Sequence, residues 1–276
     1  MNSKTESDEL ELIYFFPETK EFCTKNIHIL RLIKTHEIRY VLNIFTLYIL
    51  LDIDKNYFIS VEVHTLKITE EKISTNIGYA PSLSLISDEF IVAIGGLNSD
   101  TVNLFDLETF NWIYVGKMQS TRYGAYSLYD ETDKIVYISG GRDNDQDNTL
   151  DVEYFSIKDL KLFEIKVKTF NYGFSLRRSF PVAFALVDPK TFIICGGSGL
   201  FLDEDTNTST ILSVYTDTCH LLQDLHNEFS SKNPNIAINS DYVYFFINDN
   251  EVIKFNMLES TFISVIKERE GEEEKK

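Results

Sequence analysis

The chain has 276 residues, of which 43% are hydrophobic and 13% aromatic, so it can bury a core as one large all-β domain or as two ordinary domains. Its 43 acidic and 26 basic side chains give a formal net charge of −17. That charge argues against a nucleic-acid partner, because phosphate binding needs clustered Lys and Arg, and it leaves basic, neutral or locally polar partners open.

The two ends of the chain carry much of the acidic excess. Residues 1–11 include "ESDELE" and residues 267–276 read "KEREGEEEKK", so both are predicted to be solvated, flexible tails. Residues 12–266 are predicted to form the folded domain. The polar start lacks the basic and then apolar pattern of a secretory signal.

The most apolar run, Tyr40 to Leu51, is too short to span a bilayer, which takes about 20 residues. Its β-branched and aromatic residues predict buried strands instead, so we expect no membrane association. Three cysteines, Cys23, Cys195 and Cys219, form neither a CxxC motif nor a cluster with histidine. A reducing, cytoplasmic location is therefore expected.

A pair of apolar residues seven positions apart recurs six times along the chain. The first members of successive pairs are separated by 46, 44, 50, 60 and 40 residues. Polar residues between the two members predict a turn between two short strands. The six pairs are Phe15/Phe22, Val61/Ile68, Phe105/Trp112, Phe155/Leu162, Tyr215/Leu222 and Phe255/Phe262.

Three apolar strands end in a pair of glycines. These pairs are Gly95-Gly96, Gly140-Gly141 and Gly196-Gly197, and each precedes a polar loop and another strand. A phosphate-binding loop would instead read GxxxxGK[ST] or GxGxxG and lead into a helix. The glycine pairs therefore indicate a special backbone conformation.

The order of these features resembles the kelch repeat. A glycine pair is followed by an aromatic residue, Trp112, "STR" and a small-residue strand that leads to the next glycine pair. This resemblance implies an all-β fold, a kelch-type β-propeller of about six four-stranded blades that covers nearly the whole chain. Aromatic residues such as Trp112 would then fill the space between neighbouring blades. The first two units lack the glycine pair.

The strand count leaves the first blade incomplete. Residues 12–25 supply only the outer two strands of that blade, and nothing in the sequence supplies the inner pair. Two explanations stay open, namely a half blade or additional residues before Met1.

The patterns typical of catalytic and metal sites are incomplete in this sequence. Asp143, Asp145 and Asp147 have the spacing of a calcium-binding loop, but Asn148 replaces its turn glycine and Tyr154 its bidentate Glu. The five histidines show no ligand spacing, and no catalytic triad motif is recognisable. We therefore expect no catalytic residue, no bound metal and no cofactor.

Two arginines occupy equivalent places in consecutive units. Arg122 and Arg178 each lie 18 residues before the first glycine of the next pair, and Arg142 directly follows a pair. The resemblance to peptide-binding kelch propellers places such arginines at the mouth of the channel, where they would bind acidic ligands. The candidate contacts are Arg122, Arg142 and Arg178 with the neighbouring Tyr79 and Tyr123, and a structural role as caps or ion-pair partners is the alternative.

These observations favour a non-enzymatic protein-protein interaction module. The resemblance implies an adaptor or scaffold role, including that of a substrate receptor in a larger complex, with a protein or peptide as partner. An enzyme with a site at the channel mouth and a structural remnant without a specific ligand are the alternatives.

Overall fold

All the described secondary structure is β-strand. The computed structural model describes residues 8–16, 21–29, 38–42, 46–51, 57–62, 64–72, 77–78, 80–145, 151–169, 183–188, 191–195, 209–213, 218–221, 235–238, 242–248, 251–256, 259 and 261–266. The strands in chain order are Asp8–Phe16 (β1), Glu21–Ile29 (β2), Ile38–Leu42 (β3), Thr46–Leu51 (β4), Tyr57–Glu62 (β5), Ile68–Lys72 (β6), Ser82–Leu85 (β7), Phe90–Ile94 (β8), Thr101–Asp106 (β9), Trp112–Lys117 (β10), Tyr126–Asp130 (β11), Ile135–Ser139 (β12), Asp151–Lys158 (β13), Lys161–Thr169 (β14), Ala183–Asp188 (β15), Thr191–Cys195 (β16), Ser209–Ser213 (β17), Thr218–Leu221 (β18), Asn235–Ile238 (β19), Tyr242–Asn248 (β20), Glu251–Asn256 (β21) and Thr261–Ile266 (β22). Among these residues, no helix is long and apolar enough to cross a membrane.

Neighbouring strands pair in sequence order to form antiparallel sheets. The described strands form the two-stranded sheet β1–β2 and the four-stranded sheets β3–β6, β7–β10, β11–β14, β15–β18 and β19–β22. The chain divides into two compact units. One comprises Thr35–Lys232 and contains β3 to β18, and the other comprises Met1–Lys34 with Asn233–Lys276 and contains the remaining strands. The expectation of an all-β fold with antiparallel sheets is thus confirmed for the part of the chain that the structure describes.

The predicted end of the acidic N-terminal tail at residue 11 is wrong. Strand β1 begins at Asp8, which pairs with Ile29 of β2, so residues 8–11 belong to a strand. Leu10 separates Glu9 from Glu11 in this segment, and the backbone ladder with β2 extends through all four residues. At the other end, the last described strand stops at Ile266, and the predicted C-terminal tail, residues 267–276, lies outside the described residues.

In the unit that contains β3 to β18, the first strands of consecutive sheets lie next to one another. Strand β3 lies next to β7, β7 next to β11, and β11 next to β15, while the fourth strands β10 and β14 also lie close together. Each of these sheets is a meander whose strands run outward from that first strand. Consecutive sheets therefore stack face to face in chain order.

The core of this unit lies between the stacked sheets. On one face of the β7–β10 sheet, Ile91 and Phe105 pack against Phe58 of β5. On the other face, Val92 and Leu104 lie in a second cluster that includes residues of the β11–β14 sheet. Because both faces of β8 are covered, its five residues read as a continuous apolar run, "FIVAI", rather than as an alternation.

The seven-residue spacing in the sequence is the spacing of cross-strand partners. Phe105 pairs with Trp112, and the same register holds for Phe15 with Phe22, Val61 with Ile68, and Phe255 with Phe262. In the Phe105 hairpin the carboxylate of Asp106 accepts hydrogen bonds from the backbone N–H groups of Glu108 and Thr109. These bonds lower the pKa of Asp106.

The fourth pair does not follow this register. Phe155 pairs with Ile165 rather than with Leu162, because the β13–β14 hairpin closes with a two-residue turn at Asp159 and Leu160. Both turn residues have positive φ, 52° and 57°, which is the type I′ geometry that suits a two-residue hairpin. The fifth pair, Tyr215/Leu222, lies outside the described residues.

Candidate functional site

The two described glycine pairs lie where the chain leaves the second strand of a sheet. Gly95 and Gly96 follow β8 with φ of 69° and 110°, and Gly140 and Gly141 follow β12 with φ of 68° and 90°. A Cβ atom on Gly96 would lie 2.7 Å from backbone atoms of Gly78. The pairs are therefore required by positive φ and close backbone approach, as the sequence indicates. Gly196 and Gly197 lie outside the described residues.

Backbone hydrogen bonds join the loops at this end of the two sheets. The N–H of Gly96 donates to the carbonyl of Arg122 over 2.9 Å, and Tyr123 and Arg142 exchange two hydrogen bonds of 2.9 Å. The N–H of Gly124 donates to the carbonyl of Ala80 over 3.0 Å. We call this surface the glycine-pair platform, and its described residues are 77–78, 80–81, 95–100, 118–125 and 140–145.

The side chain of Arg122, a platform residue, forms a buried ion pair. Its Nη2 atom lies 2.8 Å from Oε1 of Glu153, and both side chains are 1% exposed. Nη2 also lies 3.2 Å from the hydroxyl oxygen of Ser120, and Nη1 donates to the carbonyl of Gly140 over 3.3 Å. Ser120 and the backbone N–H of Gln119 donate to the two carboxylate oxygens of Glu153. The network ties the β10–β11 connection to β12 and β13.

The structure corrects the expectation for two of the predicted contact residues. Arg122 is paired inside the fold, and Tyr123 is only 8% exposed, so neither side chain is open to a ligand. The cause is the neighbouring acid, because burial of a guanidinium in this core requires a carboxylate at hydrogen-bond distance. Arg142 is half-buried at the platform, whereas Tyr79 and Arg178 lie outside the described residues.

Sequence reasoning missed Glu153, although a signal for it exists. Glu153 and Phe155 are two residues apart in β13, so they lie on the same face of the strand, and Phe155 belongs to the core between two sheets. An acidic residue on such a face needs a buried cation or hydrogen-bond donors. The alternation in "DVEYFSIK" therefore indicates a carboxylate that has a partner inside the fold.

Carboxylates dominate the exposed charge of the platform. Asp145 is exposed and Asp143 half-buried, and a carboxylate oxygen of Asp143 accepts a 2.9 Å hydrogen bond from the N–H of Asp145. Asp100 pairs with the exposed Lys117, with 3.1 Å between the charged atoms. In the described part of the chain, no three His, Cys, Asp or Glu side chains are grouped to hold a metal.

A second polar cluster lies between the first strands of two sheets. Ser82 and Ser84 of β7 each form a hydrogen bond with the hydroxyl of Ser127 in β11, at 2.8 and 2.7 Å. All three residues are buried. Because these hydroxyls bond to one another, the cluster joins the adjacent strands and satisfies its own polar groups.

Trp112 lies in the aromatic cluster between the β3–β6 and β7–β10 sheets. Its ring centroid is 4.8 Å from that of Phe105, which is in turn 4.7 Å from that of Phe58 in β5. The indole is half-buried, and its Nε1 atom is buried with no hydrogen-bond partner among the described residues. The predicted location between sheets is confirmed, with the ring at the edge of the contact rather than fully enclosed.

Tyr137 is a fully buried ionisable group in β12. It lies on the face of the β11–β14 sheet opposite to that of Val136 and Ile138, which pack against the β7–β10 sheet. Burial raises the pKa of its phenol, and the nearby carboxylate of Asp130, itself 1% exposed, raises this pKa further. The ring of Tyr154 lies 5.8 Å away. The phenol therefore holds its proton to a higher pH than an exposed tyrosine does.

The chain matches no protein-family model, and no curated protein sequence is significantly similar to it. The resemblance to the kelch repeat therefore stays a prediction from the residues that carry it.

Proposed function

We propose that this chain is a kelch-like β-propeller that acts as a non-enzymatic interaction module, an adaptor or scaffold. Face-to-face stacking of four-stranded meanders through their first strands supports the propeller assignment, because radial stacking of such sheets is the architecture of that fold. The aromatic contact between Phe58 and Phe105 supports it too, as a contact between neighbouring blades.

The glycine-pair platform is the observation that carries the proposed function. Its backbone hydrogen bonds hold loops from consecutive sheets in one fixed arrangement. Loops fixed by a rigid scaffold are well suited to bind a partner, since little conformational entropy is lost on binding. The ionisable and hydroxyl groups of Arg122, Glu153 and Ser120 bond to one another, which favours binding over catalysis.

The charge of the platform favours a partner segment that contains Lys or Arg. Asn98, Asn144 and Asp145 are exposed, and Asp143 and Arg142 are half-buried. Carboxylates beside amide groups suit a basic segment, in keeping with the net charge of −17. This proposal replaces the acidic ligand that Arg122 was expected to bind.

Arg178 remains a candidate contact. Glu153 is the register partner of Ile138, and the corresponding Ile194 of the next sheet pairs with Thr210. The neutral Thr210 therefore occupies in the next sheet the position that Glu153 occupies in the β11–β14 sheet. Arg178 itself lies outside the described residues, so its role as a contact stays a prediction.

Site-specific photo-crosslinking in extracts of the native cell tests the proposed function. A crosslinker at Asn98 and one at Asn144 probe the platform, and crosslinkers at Glu108 and Glu131 serve as controls, because these exposed residues lie in hairpin turns at the opposite end of the same sheets. We expect one shared partner from both platform positions and a weaker signal after Asp143→Lys with Asp145→Lys. Equal crosslinking from the control positions would contradict the proposal.

A further inference from the structure

Within the described residues, β1 lacks the second neighbouring strand that its counterparts in other sheets have. The register of Phe15 with Phe22 makes β1 the counterpart of β5, β9 and β21, the third strands of their sheets. Each of those strands pairs on its other edge with the second strand of its sheet. Among the described strands, β1 pairs only with β2.

The residue type expected opposite Phe15 on that edge can be read from the other sheets. The residue opposite the first member of the marker pair is aliphatic in all four sheets where it is described. These cross-strand pairs are Val61 with Leu47, Phe105 with Ile91, Phe155 with Val136, and Phe255 with Val243. A strand that completes the edge of β1 should therefore carry an aliphatic residue opposite Phe15.

The sequence of β1 also defines the charge of that strand. β1 reads "DELELIYFF", with Asp8, Glu9 and Glu11 in its first half and apolar residues in its second half. Opposite charges across an antiparallel pair stabilise it, and like charges destabilise it. A nine-residue antiparallel pair of two β1 strands would place Glu9 opposite Phe15 instead of an aliphatic residue, so a second copy is disfavoured. An antiparallel strand with aliphatic residues followed by Lys or Arg is favoured.

We propose that β1 is a docking edge for an extended segment of a partner protein, which adds to the β1–β2 sheet as an antiparallel strand. Main-chain hydrogen bonds along the nine residues of β1 supply affinity, and the residues opposite Phe15, Glu11 and Glu9 supply specificity. This proposal uses residues other than those of the glycine-pair platform, so it can fail while the proposed function holds.

Hydrogen exchange of the β1 amides with two synthetic peptides tests the proposal. The basic peptide has nine residues, with isoleucine opposite Phe15 and Ile13 and lysine opposite Glu11 and Glu9, and the acidic peptide has glutamate in place of lysine. In an antiparallel pair, alternate residues direct their N–H groups to the same neighbouring strand. In the free protein we expect slow exchange at alternate β1 amides and fast exchange at the others, and the basic peptide should slow the fast set.

A charge-reversed variant provides the matched control. Glu9→Lys with Glu11→Lys should exchange the preferences, so that the acidic peptide binds roughly tenfold more tightly than the basic one, because two cross-strand pairs change sign. The circular dichroism spectrum and melting temperature show whether the variant folds. If it does not, the two peptides on the native chain still decide the question.

Three results would overturn the proposal. The edge is already covered if all β1 amides exchange slowly in the free protein at every concentration. Protection that grows with protein concentration alone assigns the edge to a second copy. Peptide binding that leaves the fast β1 amides unprotected, or the absence of binding by the basic peptide, shows that β1 does not accept a strand.

Discussion

Mutation of the buried ion pair of Arg122 and Glu153 separates a structural arginine from a binding one. Arg122→Met removes the cation and leaves the Glu153 carboxylate 1% exposed without its guanidinium partner. Loss of one member of a buried pair costs about 3–5 kcal/mol, since an uncompensated charge remains in the core. For a domain of this size we expect the melting temperature to fall by about 10 °C.

The double variant Arg122→Met with Glu153→Leu should recover most of that loss. Two apolar side chains of similar volume leave no buried charge, and such replacements of buried pairs are often nearly neutral. We expect a coupling energy of roughly 2–3 kcal/mol between the two positions. Thermal unfolding followed by circular dichroism, together with urea unfolding, measures both quantities.

Lys117→Met is the matched control, because it removes the exposed pair of Lys117 with Asp100 at the same end of the sheets. The side chains of that pair are 60% and 30% exposed, so the change should cost less than about 1 kcal/mol. The reasoning is refuted if Arg122→Met is no more destabilising than this control, or if the double variant loses the sum of the single losses. It is also refuted if folded Arg122→Met loses partner binding that the control retains.

Three further predictions concern the core, a glycine and the pH dependence. Phe105→Ala should lower the free energy of unfolding by about 3–5 kcal/mol and Trp112→Ala by about 2–3 kcal/mol, because Phe105 is 1% exposed and the indole is only half-buried; equal losses in urea unfolding would contradict this ranking. Gly96→Ala should cost at least roughly 1–3 kcal/mol through its φ of 110° and the approach of Gly78, and an unchanged melting temperature would argue against the close contact. The raised pKa of Tyr137 means that the folded state holds its proton above the ordinary value of 10.0, so stability should fall as pH rises above that value, by up to about 1.4 kcal/mol per pH unit. Tyr137→Phe should flatten this slope between pH 9 and 11, and identical slopes would show that Tyr137 does not cause it.

Local sequence patterns were sufficient to predict several strands and several of their pairings. The seven-residue spacing of Phe105 and Trp112 corresponds to one turn geometry, in which residues on both sides of the turn become direct cross-strand partners. The glycine pairs indicated positive φ because few other residues adopt it without strain. Both features depend on backbone geometry within a few residues, which is why the sequence reveals them.

Contacts between distant parts of the chain decided which candidate contact residues are buried. Arg122 looked like a surface residue, but Glu153, 31 residues further along, pairs with it once β13 lies beside β12. Likewise, the spacing of Phe155 and Leu162 looked like that of the other units, although a two-residue turn changes their register. Sequence alone therefore located several strands and the special backbone positions of the glycine pairs. Tertiary packing determined which charges are buried, because burial depends on the elements that cover a side chain and not on its neighbours along the chain.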